Sequence, residues 1–283
     1  MVSTASIVCM AISLIIAFGL PIGLYAGLRK RFDLHPVPML VGAAVFIVFA
    51  LVLESLLHVV VLRPQADGTI ALRDNNPALY VLYGIFAAGV FEETGRFVGF
   101  ALLKRKFHGV RTAVSYGIGH GGIEAIMLLG MSMISNIVLS LMINFGSHSS
   151  TAAPSSTVTA LTDTAPWMFL VGGGERVLAV AIQISLSIVV WVAVTRPGHL
   201  WMYPLAIVLH AISDLPAAIA QTGHLSIAWT EGLTAVAAIC LATYGLWWLR
   251  KSLAEERLAV VEPEPLVQLP PPDPAALIPD VTP

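Results

Sequence analysis

Seven apolar runs, each about as long as a bilayer is thick, constrain this chain more than any other feature. They cover approximately residues 5–28, 37–62, 78–103, 112–144, 167–195, 199–219 and 227–249. A bilayer core of roughly 30 Å takes about 20 residues of helix to cross. In hydrocarbon every backbone N–H and C=O must be bonded internally, which such runs achieve as helices. The expected fold is therefore an all-α polytopic membrane protein with about seven transmembrane helices. Charge content agrees: 11% of the 283 residues are charged, against roughly 25% in soluble domains. The net charge of -2 gives no reason to expect a nucleic-acid partner. Membrane lipids are the expected surroundings. Cys9 and Cys240 both fall in apolar runs and read as small hydrophobes.

The basic residues divide unevenly between the two sides. With seven spans, one side receives Arg29, Lys30, Arg31, Lys104, Arg105, Lys106, Arg111, Arg196, Arg250, Lys251 and Arg257. The other receives Arg63 and Arg73. Cytoplasmic loops carry the Lys/Arg excess, so the N-terminus is expected outside and the C-terminus in the cytoplasm. The first run reads as a retained span, because it is long, lacks a basic leader and is followed by basic residues. Residues 1–252 form the expected transmembrane domain. Residues 253–283, rich in Pro and Glu, form an expected disordered cytoplasmic tail. The Ser/Thr/Ala-rich stretch 146–165 is expected to be an outer loop. The fourth run is overlong and can divide near 131–135.

Within the third run stands an ionised cluster, Glu92, Glu93 and Arg96. Charge at bilayer mid-depth costs several kcal/mol unless it is paired or lines a polar cavity. Helical rise converts sequence position to depth. Glu92 lies ~18 Å from the basic end of its span, His120 ~14 Å and Glu124 ~20 Å, Gln183 ~20 Å, His210 ~18 Å and Asp214 ~24 Å. Four spans thus place polar groups in one layer, which is economical only if they share an interior cavity. His120 and Glu124 are i,i+4, as are His210 and Asp214, and each pair shares a helix face. Glu92 and Arg96 are also i,i+4, which predicts that Arg96 holds Glu92 while Glu93 finds a partner elsewhere. Gly117, Gly119, Gly121 and Gly122 flank His120 and permit close helix approach. Pro204 and Pro216 can kink the sixth span.

A carboxylate with two imidazoles can activate water. Glu92 or Glu93 would be the general base, and His120 and His210 would orient water, donate to an oxyanion, or ligate a metal such as zinc. Asp214, one turn from His210, can fix its ring. No Gly-x-Ser-x-Gly turn and no His-Glu-x-x-His signature is present.

The chain resembles the YhfC family of intramembrane proteases, itself similar to the PrsW and CAAX prenyl protease (Abi) group. The matching pieces are Glu-Glu-Thr-Gly-Arg (92–96), Tyr-Gly-Ile-Gly-His-Gly-Gly-Ile-Glu (116–124), Gly-Glu-Arg-Val-Leu-Ala (174–179) and His-Ala-Ile-Ser-Asp (210–214). The resemblance spans roughly residues 5–250. It implies an endopeptidase acting inside a bacterial cytoplasmic membrane on a transmembrane or lipid-associated peptide. Glu92, Glu93, His120, His210 and Asp214 would be catalytic. Arg96, Tyr116, Glu124, Glu175, Arg176 and Gln183 would support them. No cofactor is required on this reading; if a metal such as zinc is used, His120, His210 and Glu92 are the candidate ligands. Gln183 stands where the family pattern suggests a histidine, which weakens a three-histidine metal set.

Two other classes remain open at this stage. Buried Glu, His and Asp also suit a proton- or cation-coupled transporter, and a non-catalytic regulatory membrane protein would tolerate Gln183. Several groups have plainer readings. Glu175 and Arg176, nearer the outer interface, suit a structural pair or a substrate guide. Glu54 and His58, i,i+4 in the second span, suit a pair or the lining of an access path. Trp167, Trp201, Tyr203, Trp229, Trp247 and Trp248 suit interface anchors.

Overall fold

The computed structural model describes residues 1–65, 67–146 and 154–261. Among these residues every regular element is helical. In chain order they are α1 (Thr4–Phe32), α2 (Pro36–Leu62), α3 (Ala71–Asn75), α4 (Pro77–Leu103), α5 (Arg111–Phe145), α6 (Ser155–Asp163), α7 (Pro166–Thr195), α8 (Met202–Ala220) and α9 (Ile227–Val261). Six of them, α1, α2, α5, α7, α8 and α9, are long and apolar enough to cross a membrane. Helix α4 matches them in length but carries Glu92, Glu93 and Arg96.

Local chemistry sets the ends. The Ser3 side chain accepts from the Ser6 N–H at the start of α1, and Asn76 accepts from the Leu79 N–H at the start of α4. Proline occupies the first turn of α2, α4 and α7, where its missing N–H costs nothing. Asp33, with φ 49°, closes α1 in the left-handed region.

Several expectations are corrected here. The fourth run does not divide near 131–135; α5 continues through it, with one stretch of wider π-type winding at Ala125–Gly130. A second such stretch, Ile47–Glu54, interrupts α2. The outer stretch 146–165 is not all loop, since α6 buries Leu161 against Val2, Met10 and Met133. Helix α8 is one continuous helix with Pro204 in its first turn and Pro216 inside it, as a proline kink allows. Helix α9 runs past 252 to Val261, because Glu256 accepts from the Val110 N–H at 2.8 Å and Arg196 bridges to Glu255 at 2.7 Å. Trp248 is buried, with Arg196 and Lys251 over its ring, whereas Trp167, Trp201, Trp229 and Trp247 are exposed. His148 and the tail from 262 lie outside the described residues.

The core is built around α5 and α7. Glycines on α5 let neighbouring backbones touch. At Gly119 a Cβ would strike the Met39 carbonyl of α2, and at Gly117 it would lie 2.6 Å from the Ile184 Cα of α7. His120 is carried between these contacts, its ring edge-on to Phe46 at 5.2 Å and stacked on Tyr116 at 5.9 Å.

Candidate active site

Four helices, α4, α5, α7 and α8, bring their polar groups together as the depth argument requires. Glu92 on α4 lies 2.9 Å from His120 Nε2 on α5 and accepts from Gln183 Nε2 on α7 at 3.0 Å. Its other oxygen is 3.9 Å from His210 Nε2 on α8. Glu93 lies 2.7 Å from His210 Nδ1. Two adjacent glutamates thus engage two different histidines, because successive residues on a helix diverge by about 100°.

The predicted Glu92–Arg96 pair is not formed. Arg96 pairs with Glu93 instead, Nε to Oε2 at 3.3 Å. Its Nη1 donates to the Gln183 carbonyl at 2.8 Å and to Ser187 Oγ at 3.0 Å, and its Nη2 donates to Gln183 Oε1. The i,i+3 partner wins because these acceptors on α7 draw the guanidinium to Glu93's side of the helix. Both Arg96 and Glu93 are wholly buried. Breaking such a pair leaves an uncompensated charge, costing about 3–5 kcal/mol.

Gln183 joins the cluster to a second one. Its Nε2 donates to Glu92 and, at 2.8 Å, to Glu124. Glu124 accepts from Arg176 Nη1 at 2.8 Å, and Arg176 Nη2 donates to Glu175 at 2.7 Å. Asp214 lies 3.3 Å from His210 Nε2 and is the most exposed member, its side chain 41% accessible. Tyr116 is the predicted residue that stays behind the site: it packs on Phe100 and His120, and its hydroxyl has no hydrogen-bond partner.

Part of this cluster lines a cavity of about 480 Å³, with Glu93, Arg96 and His120 outside its lining. Glu92, Glu124, Gln183, His210 and Asp214 line its deep end; His58, Tyr80, Tyr83 and Gln221 line its mouth. The mouth lies toward the helix ends remote from the basic loops. Glu54 and His58 pair at 3.2 Å as expected, and His58 also meets Tyr83 at 2.8 Å. Sequence reasoning missed Tyr83, Gln221 and Ser187. Ser187 was within reach, four residues after Gln183 on the same face; Tyr83 and Gln221 carry no local signal.

The arrangement suits water activation by a carboxylate with an imidazole beside it. It does not present a converged metal site. Among the described residues no group of three or more His, Cys, Asp or Glu is disposed to hold an ion. In the candidate set the His120 and His210 Nε2 atoms face the two oxygens of the Glu92 carboxylate, at 2.9 and 3.9 Å. His120 Nδ1 also lacks the outer partner that a metal-bound histidine ordinarily has.

No solved structure matches the chain. It is 33% identical over 259 residues to the uncharacterized membrane protein YhfC of Bacillus subtilis (strain 168), covering 89% of this chain and 98% of that protein. A polytopic chain homologous to a bacterial membrane protein is in keeping with the bacterial cytoplasmic membrane. Residues 16–235 match the family described as YhfC intramembrane metalloprotease, and with both likenesses extending over most of its length the chain belongs to the YhfC family.

Proposed function

We propose that the protein is an intramembrane endopeptidase in which Glu92 activates the attacking water. The observation that carries this reading is the pair of adjacent buried glutamates on two histidines, of which Glu92 and His210 line one cavity. Glu92, steadied by His120 and Gln183, takes a proton from water as the oxygen attacks the scissile carbonyl carbon. The tetrahedral oxyanion accepts from the Nε2–H of His210 in its imidazolium form, whose Nδ1–H donates to Glu93. Collapse expels the amine, which leaves with the proton held by Glu92. Asp214 steadies the His210 ring, and Arg96 acts behind the site by holding Glu93 and Gln183 in place.

The family description names a metal. The side chains do not fit one as they stand, so every step above uses the chain's own groups. We further propose that α4 crosses the membrane as a seventh span, with its charges satisfied inside the protein. The N-terminus then lies outside, residues 1–252 form the catalytic domain, and 253–283 lie in the cytoplasm. The substrate is a transmembrane or lipid-associated peptide reaching the cavity from its outer mouth.

The test uses protein reconstituted in nanodiscs with a library of quenched transmembrane peptides. Glu92→Gln is expected to lower turnover by at least about 10²-fold, the scale of general-base loss. Unchanged turnover would remove Glu92 from the role. Stoichiometric zinc in the purified protein, with activity lost on chelation and restored by zinc, would replace the metal-free scheme. Ion flux in sealed liposomes without any cleaved product would replace the hydrolase by a carrier.

A further inference from the structure

We propose that Glu54, His58 and Tyr83 form a recognition subsite at the cavity mouth for a protonated amine on the substrate; this rests on the peptidase reading above. Glu54 is the last residue of the π-wound stretch of α2 and is buried. Such stretches recur at functional sites. Among the described residues the group that faces its carboxylate is His58 Nε2, at 3.2 Å, with no Lys or Arg in contact. His58 in turn meets the Tyr83 hydroxyl of α4 at 2.8 Å.

The hydrogen bonds of this chain have a direction. An ionised carboxylate can only accept. A ring protonated at Nε2 alone donates to Glu54 and leaves Nδ1 to accept from the Tyr83 O–H. The phenolic oxygen then keeps its lone pairs free as an acceptor at the cavity wall. A link that served packing alone would sit away from the cavity, yet His58 and Tyr83 both line it, and the His58 side chain is 35% accessible.

The surrounding charge selects the ligand. Glu92, Glu124, Glu175 and Asp214 line the same cavity, and Arg176 is the one Lys or Arg lining it among the described residues. That guanidinium is already engaged by Glu124 and Glu175. An acceptor backed by a buried carboxylate in such a field favours a cationic donor over a neutral one. Tyr83 precedes Glu92 by nine residues, or ~14 Å along α4. An extended peptide rises about 3.3 Å per residue, so the amine would stand about four residues from the scissile bond. Two sources share this chemistry, a lysine side chain and a free peptide N-terminus.

Quenched peptides that differ only at that position test the proposal in nanodiscs. One series carries lysine or norleucine there. A second ends there with a free or an acetylated α-amine. Wild-type protein is expected to cleave the amine-bearing member of at least one series with about tenfold higher kcat/KM, and the series that responds identifies the source. Tyr83→Phe and Glu54→Gln should each bring that ratio within about twofold, while Gly27→Ala on α1, a helix that contributes no residue to the cavity lining, keeps it. Equal cleavage of all peptides by wild type, or variants that retain the tenfold ratio, would overturn the subsite. If Glu54→Gln does not fold, Tyr83→Phe answers alone. Binding of the same peptides, N-methylated at the scissile amide, to Glu92→Gln is read by fluorescence anisotropy. Amine preference in binding without any wild-type cleavage would keep the subsite and discard the peptidase; cleavage without amine preference would do the reverse.

Discussion

At the scale of single residues, Gln183 and Arg96 organise the site without being its chemistry. Gln183 is a neutral link between two carboxylates that would otherwise repel. Its oxygen accepts from Arg96, which orients the amide so that both N–H bonds point at Glu92 and Glu124. Gln183→Leu is expected to lower kcat by about 10–100-fold, the usual cost of losing a partner that orients a reacting group; peptide cleavage by the reconstituted variant checks this, and an unchanged kcat would count against the link. Arg96→Met strips a buried charge from Glu93. It should lower stability by about 3–5 kcal/mol, measured as a clear fall in melting temperature in detergent, whereas Glu92→Gln should melt near wild type. Which glutamate Arg96 held was not legible from spacing. Both i,i+3 and i,i+4 partners were in reach, and Gln183 and Ser187 on another helix decided between them.

At the scale of helices, close approach is set by what glycine lacks. A methyl group at Gly119 would meet the Met39 carbonyl, a backbone atom that cannot rotate away. Gly119→Ala is therefore expected to destabilise the α2–α5 contact by about 1–3 kcal/mol and to displace His120. Gly232→Ala on α9, with nothing within 4 Å of the added atom, should be neutral or stabilising by up to about 1 kcal/mol. Thermal unfolding of the two variants side by side separates packing from helix propensity; equal behaviour would contradict the contact. The glycines around His120 were visible in the sequence. The π-wound stretches were not, because one extra residue in a helical turn leaves the apolar composition of a span unaltered.

At the scale of the whole molecule, the cavity lining reaches His58, Tyr80 and Gln221, near the helix ends remote from the basic loops. From the Lys/Arg bias we propose that this end faces outside. In protein with Cys9 and Cys240 replaced, Gln221→Cys at the mouth should react with a membrane-impermeant maleimide added to intact cells. Lys106→Cys should react only after permeabilisation. The reverse pattern would invert the topology and place the substrate's approach on the cytoplasmic side.

Apolar runs, depth counting and ordered motifs determined an all-helical membrane protein with Glu92, Glu93, His120, Gln183, His210 and Asp214 in one layer. These were legible because bilayer thickness and helical rise convert position along the chain directly into depth. The tertiary structure alone decided who meets whom within the layer: Glu92 with His120, Glu93 with His210 and Arg96, Gln183 between two carboxylates, and His58 with Tyr83 at the mouth. Depth is one coordinate, fixed by sequence distance from a span's end. The other two depend on how helices rotate and pack against one another, and that is settled by contacts between residues as far apart in the chain as Glu93 and His210.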